Sequence, residues 1–122
     1  AVAALERAPA AAGPSAEQLK QMILSIPTKR ADLFVAEVDW DVALASNVLD
    51  EKIKPWISKK MVEYLGEDEP TLVEFIMGKL HAKTGAEAIE AEMAKVLDDD
   101  AQVFTVKLWR MLLFEVLRLK ST

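Results

Sequence analysis

The stretch Lys52-Ile-Lys-Pro-Trp-Ile-Ser-Lys-Lys60 decides how the rest of this chain is read. Proline fixes φ and removes a backbone donor, so one helix is expected to end here and another to begin with Pro55 at its first position. The residue before it, Lys54, is expected to be pushed toward an extended conformation. Trp56 and Ile57 then place a large apolar payload in the first turn of the new helix. Lys52, Lys54, Lys59 and Lys60 surround them, with no acidic residue between Lys52 and Lys60. A corner, an aromatic anchor and a local positive patch are expected to coincide.

Working outward, the pattern is helical throughout. Upstream, Ser15 and Gln18 have capping-box spacing, and Leu19, Met22, Ile23 and Ile26 share one face of a helix over 16–26 that Pro27 stops. Residues 28–38 read as a connector with a helical turn near 32–35. Asp39 reads as the N-cap of a helix reaching about residue 53, with Trp40, Ala43, Leu44, Val48 and Leu49 as its apolar stripe.

Downstream, Gly66 is placed to end the helix that Pro55 begins. Glu67-Asp-Glu-Pro70 puts acidic residues before the next helix, where the macrodipole favours them. That helix, over 70–82, carries Leu72, Val73, Phe75, Ile76, Met77 and Leu80, too many for one narrow stripe, so it is expected to be largely buried. Thr84-Gly85 breaks it. A shorter helix over 86–96 carries Ile89, Met93 and Val96, and Asp98-Asp-Asp100 leads into a last helix of about 99–120. There Val106, Trp109, Leu113 and Val116 recur at helical spacing. No strand pattern, repeat or heptad appears. The expected fold is all-α: a compact bundle of four principal helices, an extra N-terminal helix and short connecting helical segments.

Composition bounds the function. A chain of 122 residues with 52% hydrophobic residues is one domain with a proper core. No apolar run is long enough to span a membrane. There is no cysteine, which excludes disulfides and thiol chemistry. The net charge of −5 weighs against a strongly basic nucleic-acid binder, so any such contact must come from a local patch.

Catalysis finds no support. The single histidine, His81, has no nucleophile at a recognisable spacing. No metal-ligand cluster or cofactor motif occurs: Asp98–Asp100 lacks the alternating ligands and central glycine of a calcium loop, and the four glycines form no phosphate-binding loop. Trp40 and Trp109 fall on apolar faces and are expected in the core, with Trp56 and Tyr64 as anchors rather than base-stacking platforms.

The lysines are the chemical candidate. Lys52 and Lys54 end one expected helix, and Lys59 and Lys60 begin the next, so a corner at Pro55 would gather them. Ammonium groups on flexible stems suit phosphate contact without sequence reading. Lys29 and Arg30, in the preceding connector, extend the set if the fold returns them to it. A competing expectation comes from Glu67-Asp-Glu69, Glu87, Glu90, Glu92 and Asp98–Asp100, which could form acidic surfaces for a protein partner.

The Pro55-Trp56-Ile57 tripeptide, with what surrounds it, resembles the PWI domain of pre-mRNA processing factors. The likeness continues through Lys59-Lys-Met-Val-Glu-Tyr-Leu-Gly66, Thr71-Leu-Val-Glu-Phe75, Val96-Leu-Asp98 and Val106-Lys-Leu-Trp-Arg-Met-Leu112. Upstream, Ile26-Pro-Thr28, Leu33-Phe34 and Asp39-Trp40 are similar to the variant found in splicing regulators that carry an RNA-recognition motif, an Arg/Glu-rich middle and a carboxy-terminal PWI domain. The resemblance spans roughly 17–120. It implies an all-helical PWI-like domain over 15–122; residues 1–14, mostly Ala, Gly and Pro, read from their composition as a disordered linker. It also implies a nuclear location and binding of RNA or DNA, single- or double-stranded, during splicing, with splicing-factor proteins as further partners; the residues themselves point to no enzymatic activity. In that family nucleic-acid binding is also associated with basic flanks; here only Arg7 precedes the first helix. Nothing in the sequence demands a dimer.

Overall fold

The computed structural model describes residues 15–120, and they contain helices and no strand. The linker expected over 1–14 lies outside the described residues, as do the last two residues. In chain order the helices are α1 (Ala16–Ser25), α2 (Arg30–Phe34), α3 (Trp40–Ala45), a π-helical turn (Leu49–Ile53), α4 (Lys54–Leu65), α5 (Pro70–His81), α6 (Ala86–Leu97) and α7 (Asp100–Lys120).

The local signals explain most of these boundaries. The Ser15 side chain accepts from the Gln18 N–H, and the Gln18 side chain accepts from the Ser15 N–H at 2.7 Å, a complete capping box. The Asp39 carboxylate accepts from the Val42 N–H and opens α3. Gly66 closes α4 at φ 82, a left-handed conformation in which any residue with a Cβ is strained. Pro70 sits in the first turn of α5, where its missing donor costs nothing.

The stretch before Pro55 departs from expectation. The α-helix begun at Asp39 does not reach residue 53. It ends at Ala45, and the chain bends at Ser46-Asn47, where Asn47 takes φ 46. Asparagine tolerates that region better than most residues. The helical run then resumes as the π turn and passes into α4 without a corner. Lys54 is helical (φ −58, ψ −48) rather than extended, and its N–H reaches five residues back to the Leu49 carbonyl. In an ordinary α-helix the proline ring meets the carbonyl four residues earlier. The extra residue in the π turn reorients those carbonyls, so the helix continues across Pro55.

The long helix α7 is the spine: α1, α2, α3, the π turn, α4 and α6 all pack on it. Its Phe104, Leu108, Trp109 and Leu112 are buried. Around them lie Leu33, Leu49, Ile53, Ile57, Met61, Ile76, Leu80, Ile89 and Met93 from the other segments, in one continuous core. Side chains of this size each contribute about 1.5–3 kcal/mol when removed from water. Trp40 meets Trp109 edge-on at 6.2 Å. Helix α5 is less buried than its composition predicts. Val73, Ile76, Met77 and Leu80 face the core, but Phe75 is 41% exposed. No described helix is long and apolar enough to cross a membrane.

Candidate functional site

The tripeptide divides its labour by depth. Ile57 is fully buried, Pro55 is exposed, and Trp56 is half-buried. The Trp56 ring stacks on Phe104 of α7, with centroids 5.7 Å apart and 21° between planes. Tyr64, two turns further along α4, meets the same Phe104 edge-on at 6.3 Å. One buried phenylalanine therefore pins both halves of α4 to the spine, with about 0.5–1.5 kcal/mol per aromatic pair beyond burial itself.

The expected cations have different fates. Lys52, on the π turn, and Lys59, on α4, are exposed and have no ion pair among the described residues. Seven residues separate them along one helical run, about two turns. Lys54 is engaged by Glu74 of α5 at 2.5 Å, a contact that raises the lysine pKa. Lys60 lies 3.4 Å from the Glu63 carboxylate and 5.7 Å from the centre of the Trp56 ring. Arg30 donates two hydrogen bonds to Glu90 of α6, at 2.8 and 2.5 Å, and lies over the Phe34 ring at 4.6 Å. That bidentate contact holds the Glu90 carboxyl below its ordinary value of 4.5. Lys29, in the N-cap position of α2, is exposed without an ion pair among the described residues. Among the expected acidic residues, Glu90 is thus committed to Arg30, and Glu92 is paired with Lys95 at 3.4 Å.

Two of the grooves that border α4 differ in charge. The first, about 430 Å³, lies between α1, α4 and α7; Trp56 and Lys60 form one wall, and Lys107, Arg110, Met111 and Phe114 the other. None of its lining residues is acidic. The second, about 670 Å³, lies between the end of α4, α5 and α6; Leu65, Leu72, Phe75 and Val96 floor it, and Glu67, Glu69 and the Glu92–Lys95 pair rim it, a net acidic edge. The sequence reading passed over Lys107 and Arg110 as cations, although both stand inside the segment Val106–Leu112 that carries part of the family resemblance. Their signal was the i, i+3 spacing, with Phe114 a further turn on, which puts all three on one flank of α7. His81 is exposed, with Nε2 3.5 Å from Asp50 Oδ1. No group of potential metal ligands occurs among the described residues.

Comparison with known proteins agrees with this architecture. The chain is 41% identical over 99 residues to RNA-binding protein 25 of Homo sapiens, a match covering 81% of this chain and 12% of that protein. It is 39% identical over 102 residues to RNA-binding motif protein 25 of Arabidopsis thaliana, covering 84% and 11%. It is 29% identical over 96 residues to the U1 snRNP-associated protein usp107 of Schizosaccharomyces pombe, covering 79% and 14%. The chain thus spans about an eighth of the length of the relatives it matches. The PWI domain model matches residues 51–116, from the π turn through α4, α5 and α6 to most of α7, and with these relatives it shows that the chain belongs to the PWI domain family.

Proposed function

We propose that this domain is a nucleic-acid-binding module of a nuclear pre-mRNA splicing factor, and not an enzyme. It contacts phosphates through lysines around the Pro-Trp-Ile segment and reads little sequence. The observation that carries the reading is the pair Lys52 and Lys59: two exposed ammonium groups on one helical run, with no carboxylate paired to them among the described residues. Lys60 borders them, and Lys29 is a further exposed cation on α2. Lys54 and Arg30 are weaker members, since each must first leave a carboxylate. The relatives' names support RNA as the ligand, as two are called RNA-binding and one U1 snRNP-associated. Duplex or single-stranded DNA offers the same phosphates and is the comparison ligand.

Titration of labelled single-stranded RNA at increasing salt tests this reading. Three lysine contacts predict a log–log slope of about −2. Lys52→Glu with Lys59→Glu should fold normally and bind at least about tenfold more weakly. Unchanged binding by that variant would remove the lysine run from the interface.

A second reading is favoured by the other groove. Phe75 and Val96 are 41% and 43% exposed over an acidic rim, an arrangement suited to a basic amphipathic segment of a splicing-factor protein. Titration of an Arg-rich peptide bearing one large apolar residue checks it. Binding that survives Phe75→Ser would count against this groove.

A further inference from the structure

We propose that the groove between α1, α4 and α7 seats one nucleotide of a single-stranded RNA, with Lys60, Lys107 and Arg110 on the phosphates and Phe114 and Met111 under the base. The inference rests on the nucleic-acid reading above, and it moves the centre of the interface from the helical run at Lys52–Lys60 to the flank of α7.

The lining is the first argument. In a chain of net charge −5, this groove gathers three cations and no carboxylate. Lys107 and Arg110 have no ion pair among the described residues, and they stand one helical turn apart on α7. The second argument is an unanswered donor. Arg110 Nε is buried and has no hydrogen-bond partner among the described residues. A buried donor without a partner is destabilising, more so when it is charged. Nε stays covered, so a phosphate in the groove would be met by the two terminal guanidinium nitrogens, which have no ion pair among the described residues and whose fork suits two phosphate oxygens.

The floor of the groove carries the case for a base. Phe104 stacks on Trp56 and Lys60 lies over the Trp56 ring, so the free apolar surface is that of Phe114 and Met111, with Ile23 of α1 as the opposite lip. A volume of about 430 Å³ lies within the ~300–1,000 Å³ of small-ligand clefts. Bases in a duplex are stacked and cannot enter such a cleft, whereas an unstacked single strand can put one base on an aromatic ring and its phosphates on the rim. Ile23, 48% exposed on α1, leaves that lip open.

The test is a fluorescence-anisotropy titration of the 122-residue chain with a labelled single-stranded hexauridylate at low salt. Wild type, Lys107→Gln with Arg110→Gln, and Lys52→Gln with Lys59→Gln are compared, each first checked for an unaltered thermal melt. The groove variant is expected to bind at least about tenfold more weakly and to flatten the salt slope by about 1.4, two contacts' worth. A hexamer of abasic sugars should bind several-fold more weakly than the uridylate, and duplex DNA should be insensitive to the groove variant. If wild type binds no nucleic acid, the broader reading falls and this one with it. If wild type binds and only Lys52→Gln with Lys59→Gln weakens it, the groove alone is refuted. Equal binding of the abasic hexamer removes the base from the groove. Displacement of RNA by a polyglutamate peptide of equal affinity reassigns the cations to an acidic protein. Should the groove variant melt early, chemical-shift changes at Lys107, Arg110 and Phe114 in wild type decide: their absence at saturating hexauridylate overturns the proposal.

Discussion

The two ends of α4 border opposite chemistries. Trp56 and Lys60 wall a groove with three cations and no carboxylate; at the end of the helix, Leu65 borders a groove rimmed by Glu67, Glu69 and Glu92 against the single cation Lys95. The net charge of −5 describes neither. At physiological salt a ligand feels charges within about 8 Å, so it responds to the nearer groove and not to the sum over the chain. Weighing the net charge against nucleic-acid binding averages two surfaces that no ligand meets together.

The largest expected effect comes from the residue that joins the two ends. Phe104 is fully buried, stacked on Trp56 and met edge-on by Tyr64. Phe104→Ala should destabilise by about 3–5 kcal/mol through the lost burial and the cavity left behind. Chemical denaturation followed by tryptophan fluorescence measures it. A loss below about 1 kcal/mol would mean that α4 is anchored elsewhere.

Next comes a charge contrast. Lys60→Glu, Lys107→Glu and Arg110→Glu together should weaken RNA binding by more than about tenfold, 1.4 kcal/mol. Glu67→Gln, Glu69→Gln and Glu92→Gln together change the net charge by a smaller amount in the opposite direction, and should leave RNA affinity within about twofold if locality governs. If affinity instead tracks net charge across both triples, the comparison between grooves is broken.

The sequence made legible what is encoded locally. The Ser15–Gln18 box, the Asp39 cap, the Gly66 stop and the Pro70 start each depend on residues within one turn, and each appears in the structure. The π turn was not legible, because a proline after Lys54 has the same local signature whether the helix stops or widens. The candidate interface was less legible still. Which cations remain free depends on carboxylates far along the chain: Glu74 engages Lys54, and Glu90, sixty residues from Arg30, engages that arginine. Lys107 and Arg110 were hidden in a helix whose apolar periodicity is strong. Only the packing of α1 and α4 on α7 shows that their flank is a groove.

A smaller effect separates the grooves structurally. Gly66 ends α4 at φ 82, with nothing within 4 Å of where a Cβ would stand. The cost of Gly66→Ala is therefore backbone strain alone, about 1 kcal/mol. It should disturb the acidic groove, whose lining residues Leu65 and Glu67 flank Gly66, and leave RNA binding unchanged. Amide shifts that spread to Lys107 and Arg110 would show the two ends of α4 to be coupled.

The smallest effect on binding is expected at Arg30. Its guanidinium already has a bidentate carboxylate partner, so Arg30→Met should leave RNA affinity within about twofold, unlike the groove variants. Stability should respond instead, and only on one side of the pH scale. Glu90 is held below its ordinary 4.5, chiefly by the Arg30 hydrogen bonds. A depressed carboxyl pKa contributes stability that is complete above the unfolded value and is lost as pH falls through the lowered one. Wild type should therefore lose stability more steeply than Arg30→Met as pH drops below 4.5, and run parallel to it near neutrality. Denaturation midpoints across that range measure the difference. Parallel acid limbs would mean that the Arg30–Glu90 contact is too weak to hold either group, and Arg30 would then rejoin the free cations available to RNA.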